Sequence, residues 1–169
     1  FADFVGGVSW ALFVCVGLAV AVGVAKDRLP LAAVIGAFSG PAAFEGSRIV
    51  YAGVVEALAV SGVVAGEGYP VEIAVVKGVE YGFLAFAIGW VARRSWGGAK
   101  GHATVGMTAG LVFGAVILAM SAGAVPRPST AALFSTGLNE VLFPVGCAMV
   151  LFFADALGKK AADHPPRIP

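Results

Sequence analysis

The sequence predicts an all-α integral membrane protein, a bundle of about five transmembrane helices with a broken or re-entrant second segment. Three observations predict it. The composition is 59% hydrophobic and only 12% charged, with a mean hydropathy of +0.92. Apolar runs of membrane-crossing length alternate with short charged breaks. The basic residues in those breaks fall on one side of the resulting bundle. A soluble domain carries about twice this charge, because it must cover its core with polar surface.

A span needs about 20 apolar residues. The first runs from Gly7 to Ala25 and stops at Lys26-Asp27-Arg28. It lacks the basic start and small-residue cleavage site of a signal peptide and reads as a retained helix. Val71 to Ala92 is stopped by Arg93-Arg94, Ala103 to Ala124 by Pro126-Arg127-Pro128, and Ala131 to Leu157 by Lys159-Lys160. Residues 1–160 form one transmembrane domain. Residues 161–169, with His164-Pro165-Pro166, form a short polar tail expected to be extended.

The stretch from Leu29 to Ala65 is too long for one straight span at about 1.5 Å per residue. Breaks are expected at Gly40-Pro41 and at Glu45-Gly46-Ser47-Arg48. One bent span with a re-entrant or interfacial piece gives five helices; two short spans give six. Cytoplasmic loops of membrane proteins are rich in lysine and arginine. Five spans with an outside N-terminus put Lys26, Arg28, Arg93, Arg94, Lys100, Lys159, Lys160 and Arg167 inside, leaving Arg127 outside. Six spans would separate Arg93 and Arg94 from Lys26 and Arg28, so five is preferred. The implied location is a prokaryotic inner or plasma membrane, with the C-terminus cytoplasmic. Trp10, Tyr69, Trp90 and Trp96 lie near predicted span ends, where amphipathic rings favour the interface.

The 24 glycines are scattered through apolar runs, as suits helices that pack closely in lipid. Gly106, Gly110 and Gly114, spaced by four, form a flat stripe on one helix face, and Gly78 and Gly82 do the same on the preceding span. Such stripes serve packing within the chain or an oligomer seam. A faint parallel repeat relates Gly7-Val8-Ser9-Trp10 to Gly78-Val79-Glu80-Tyr81. Each is followed by a basic turn and a span with Gly-x-x-x-Gly, namely Gly36/Gly40 and Gly106/Gly110.

Charges inside a span are expensive and call for partners or water. Glu45, Arg48, Glu56, Lys77, Glu80 and Glu140 are the candidates for a ligand or ion site, with Asn139 and Tyr81 nearby. All six map to the outer half of the five-span bundle. Glu45 with Arg48, and Lys77 with Glu80, are three apart and share a helix face. Four acids against two bases favour a cation or proton as guest; paired charges that merely lock helices together are the structural alternative.

Only His102 and His164 are present, neither deep in a span, so bis-histidine haem and histidine-rich zinc sites are excluded, and no metal or other cofactor is expected. Without an intramembrane histidine as base, Ser39 and Ser61 make poor nucleophiles, and an enzyme is not expected. Cys15 and Cys147 read as small buried hydrophobes. No basic patch with interleaved aromatics suggests nucleic acid. The expected partners are the lipid bilayer, further copies or other membrane subunits, and a small solute or cation. The leading expectation is therefore a small multi-pass transporter or channel-type protein; the competing one is a non-catalytic accessory subunit of a larger membrane complex.

Overall fold

The computed structural model describes residues 2–24, 28–58, 71–124 and 129–163. Among them the regular structure is helical throughout: α1 (Ala2–Val24), α2 (Leu29–Ala57), α3 (Val71–Val91), α4 (Ala99–Ala124) and α5 (Thr130–Asp163). Gly7–Val24, Leu29–Ala57, Ala99–Gly123 and Leu133–Lys160 are each long and apolar enough to cross a membrane. Several sequence expectations lie outside the described residues: those on Lys26, Tyr69, Arg127, the stretch 59–65 and the tail from His164. Residues 161–163, expected to be extended, continue α5.

Large apolar side chains point outward as well as inward. Leu12, Phe38, Ile49, Phe134 and Phe153 are exposed on three different helices. Helices apolar on every face need an apolar surround, either a large protein interior or lipid. The interior itself is built around α3, the central helix: Val14, Leu18, Tyr81, Leu84, Ala85, Ile88 and Cys147 are nearly inaccessible.

The helices alternate in direction. Arg28 begins α2 immediately, its carbonyl accepting from the Leu31 and Ala32 amides. Pro30 sits at the helix start, where a missing amide costs nothing. A tight turn links α3 to α4, with the Arg94 amide donating to the Val91 carbonyl at 2.9 Å and the Gly97 amide to Arg94 at 2.9 Å. A side chain at Gly97 would overlap the Val91 carbonyl, so that turn requires glycine.

The expected break in the second segment is absent. α2 runs unbroken through Gly40-Pro41 and through Glu45–Arg48. Its first half is held by a close crossing with α3. A Cβ on Gly36 would lie 2.6 Å from the Tyr81 carbonyl oxygen, and one on Gly40 would lie 3.2 Å from that of Lys77. Reciprocally, a Cβ on Gly78 would come within 3.0 Å of the Ala37 carbonyl, and one on Gly82 within 2.9 Å of Ala33. Two Gly-x-x-x-Gly motifs thus face each other across one antiparallel contact. Pro41 removes the amide that would pair with Ala37, and the freed carbonyl is the one that faces Gly78. The contact therefore covers the group that the proline orphans, and the helix continues.

The α4–α5 pair repeats the device. Gly106, Gly110 and Gly114 receive α5 at Pro144–Val145, Glu140–Val141 and Glu140 respectively. Pro144 frees the Glu140 carbonyl, which would lie 2.9 Å from a Cβ on Gly110. In both cases the glycines of an even-numbered helix pack on the helix that follows it, within the chain.

Candidate functional site

Three helices bring one charged cluster together. The Lys77 ammonium on α3 donates to Glu80 Oε2 at 3.0 Å, one turn on, and also to Glu140 Oε2 on α5. The side chains of Lys77, Glu80 and Glu140 are 13%, 0% and 9% exposed. Glu140 is carried into reach because its backbone rests on Gly110 and Gly114, with no side chain between the helices. Among the described residues Glu80 Oε1 has no hydrogen-bond partner. With all three groups ionised, the cluster carries one negative charge in excess.

Beside it lies a cavity of about 740 Å³ between α1, α2, α3 and α5, with Lys77 and Glu140 in its wall. The rest of the wall is mostly apolar and includes five aromatic side chains, Trp10, Phe44, Tyr51, Tyr81 and Phe143. Trp10 packs edge-on to Phe44 with ring centroids 6.4 Å apart, and lies 6.2 Å from Tyr81, which in turn meets Phe143 edge-on at 6.4 Å. The Lys77 ammonium lies 5.7 Å from the Tyr81 ring centroid, within the reach of a cation–π contact. Tyr81 is fully buried, and among the described residues no group completes a hydrogen bond to its hydroxyl. Ser47 and Asn139 add polar groups to the wall.

The residues come from the first part of α1, α3 and α5 and the last part of α2, so the cavity occupies the end of the bundle away from the Arg93–Arg94 turn. Of the six charged candidates, the structure joins Lys77, Glu80 and Glu140. Glu45 and Arg48 pair separately at 3.6 Å and are both more than half exposed. Glu56, near the end of α2, is exposed. Among the described residues no group of three His, Cys, Asp or Glu could hold a metal ion.

Trp10, Tyr51, Phe44 and Phe143 are wall residues that the charge pattern alone does not single out. For Trp10 a signal exists: the faint repeat aligns it with Tyr81, and the two rings are in contact. The remaining tryptophans sit at the α3–α4 turn, where Trp90 and Trp96 meet edge-on with centroids 5.5 Å apart and the Arg94 guanidinium lies 4.6 Å from the Trp90 ring. At the floor of the seam between α1 and α5, the thiols of Cys15 and Cys147 lie 3.4 Å apart, both free.

No family model, no curated protein and no solved structure matches the chain.

Proposed function

We propose that this chain is a five-span membrane protein, N-terminus outside and C-terminus in the cytoplasm, that binds a small cation or cationic solute and passes it across the bilayer. The observation that carries the reading is the buried Lys77–Glu80–Glu140 cluster, one positive charge short, in and behind the wall of an open cavity. A charge imbalance buried among apolar helices is costly, and one monovalent cation removes it. The four long apolar helices and their outward apolar side chains support a bilayer setting. α3 completes the count of five as the central helix, with Lys77 and Glu80 turned toward its neighbours and Glu72 exposed near its start. In the proposed orientation the cavity opens outside, and the Arg93–Arg94 turn and Lys159–Lys160 face the cytoplasm.

The test is cation flux into proteoliposomes, read with a potential-sensitive dye across a panel of monovalent cations. Glu80→Gln and Glu140→Gln should each abolish flux while the protein remains extractable and folded. Undiminished flux in both variants would refute the reading. A second reading, a non-catalytic subunit of a larger membrane complex, draws on Glu45, Arg48 and Glu56, which are exposed among the described residues. Gentle extraction that recovers the chain in a fixed ratio with other subunits, and inert alone, would favour it.

A further inference from the structure

We infer that the guest of this cavity is an organic ammonium ion, and that Lys77 is its tethered stand-in, holding Glu140 until the guest takes that carboxylate over. This rests on the cation-site reading above and names the class of cation. A bare metal cation needs several oxygen ligands in place of its water shell. The wall offers one carboxylate, Glu140, a few hydroxyls and the Asn139 amide among rings. Rings of this kind recognise a large, weakly hydrated ammonium, through the negative faces of their π-systems.

The chain itself shows that an ammonium is accommodated there. Lys77 Nζ lies over the Tyr81 ring while both carboxylates accept from it. A guest ammonium seated against Glu140 leaves Lys77 on Glu80. The site then holds two cations and two carboxylates and is neutral; in its absence a single ammonium serves both acids. The cavity volume of about 740 Å³ leaves room for a guest of several carbons.

The experiment uses the full chain in lipid nanodiscs and follows its melting temperature against tetramethylammonium, n-butylammonium, sodium and potassium chlorides at matched ionic strength. Saturable stabilisation by either organic cation, with sodium and potassium inert, is expected. Glu140→Gln and, separately, Phe143→Leu should weaken the organic cation about tenfold or more, the loss of a charge or ring contact. Equal or better stabilisation by sodium or potassium would overturn the organic guest while leaving a cation site standing. No response to any cation would overturn both. An organic cation that binds Glu140→Gln and Phe143→Leu as well as the parent sits elsewhere, and the inference fails. A further variant separates the tethered role: Lys77→Ala should gain more stability from n-butylammonium than the parent does, and an equal or smaller gain would show that Lys77 does not occupy the guest's place.

Discussion

Gly106→Ala is the sharpest test of how Glu140 is placed. The new Cβ would lie 2.6 Å from Val145 Cα, 2.7 Å from the Pro144 carbonyl oxygen and 2.9 Å from Val145 N. Carbon atoms in good contact sit about 3.5–4.0 Å apart, so α4 and α5 must separate by about 1 Å. All three obstructing atoms are backbone, and no rotamer change relieves them. Overpacking of this kind costs about 1–3 kcal/mol. Alanine also gains about 1 kcal/mol of helix propensity over glycine, which would blur the result. Gly146→Ala supplies the control, because nothing lies within 4 Å of a Cβ there. The propensity gain is common to both variants, so their difference isolates the steric cost, about 3 kcal/mol at the unyielding end of that range. Unfolding along an SDS titration in mixed micelles, followed by helical circular dichroism, measures it. Coincident midpoints for the two variants would refute the close α4–α5 crossing, and with it the account of how Glu140 reaches Lys77.

The charge count predicts an asymmetry. Lys77→Met strands two buried carboxylates and should cost about 3–5 kcal/mol, whereas Glu140→Gln leaves the Lys77–Glu80 pair balanced and should cost far less, both read by the same titration. Removing the exposed Glu45–Arg48 pair by double substitution to glutamine should change stability by less than about 1 kcal/mol and leave cation binding intact. Copper-phenanthroline treatment should join Cys15 to Cys147, detected as loss of both thiol hydrogens in the intact mass and of alkylation on denaturation. In intact cells, a membrane-impermeant maleimide should label Thr130→Cys and spare Ser95→Cys, since the two exposed positions lie at opposite ends of α4.

Helix bounds were legible because each ends near a charge or proline that lipid does not favour. The apolar run from Val71 to Ala92 became Val71–Val91, and that from Ala103 to Ala124 became Ala99–Ala124. The second segment was misread, since local sequence presents Gly40-Pro41 as a break. What lets α2 continue past Pro41 is Gly78 on another helix, a contact that no local pattern encodes. The pairing of Lys77 with Glu80 follows from spacing alone, but its link to Glu140 spans 63 positions. Glu45 and Glu140 looked equivalent as intramembrane acids. Only the packing of α5 on α4 turns one inward, while the other lies on an uncovered face of α2.

The prolines of α2 and α5 bear on how such a chain enters a bilayer. Alone in hydrocarbon, each of these helices would present a bare carbonyl, at Ala37 or at Glu140, costing several kcal/mol. Leu29–Ala57 also has the lowest mean hydropathy of the four long helices, 1.2 against 2.0 or more. Their natural entry units are therefore hairpins, α2 with α3 and α4 with α5, in which a glycine face arrives together with the carbonyl it must cover. Within this scheme α3 delivers Lys77 and Glu80 early and waits for Glu140 on the last helix. A chain interrupted before α5 would hold an unfinished ion cluster, and a quality-control system could recognise that exposed charge as the mark of incomplete assembly.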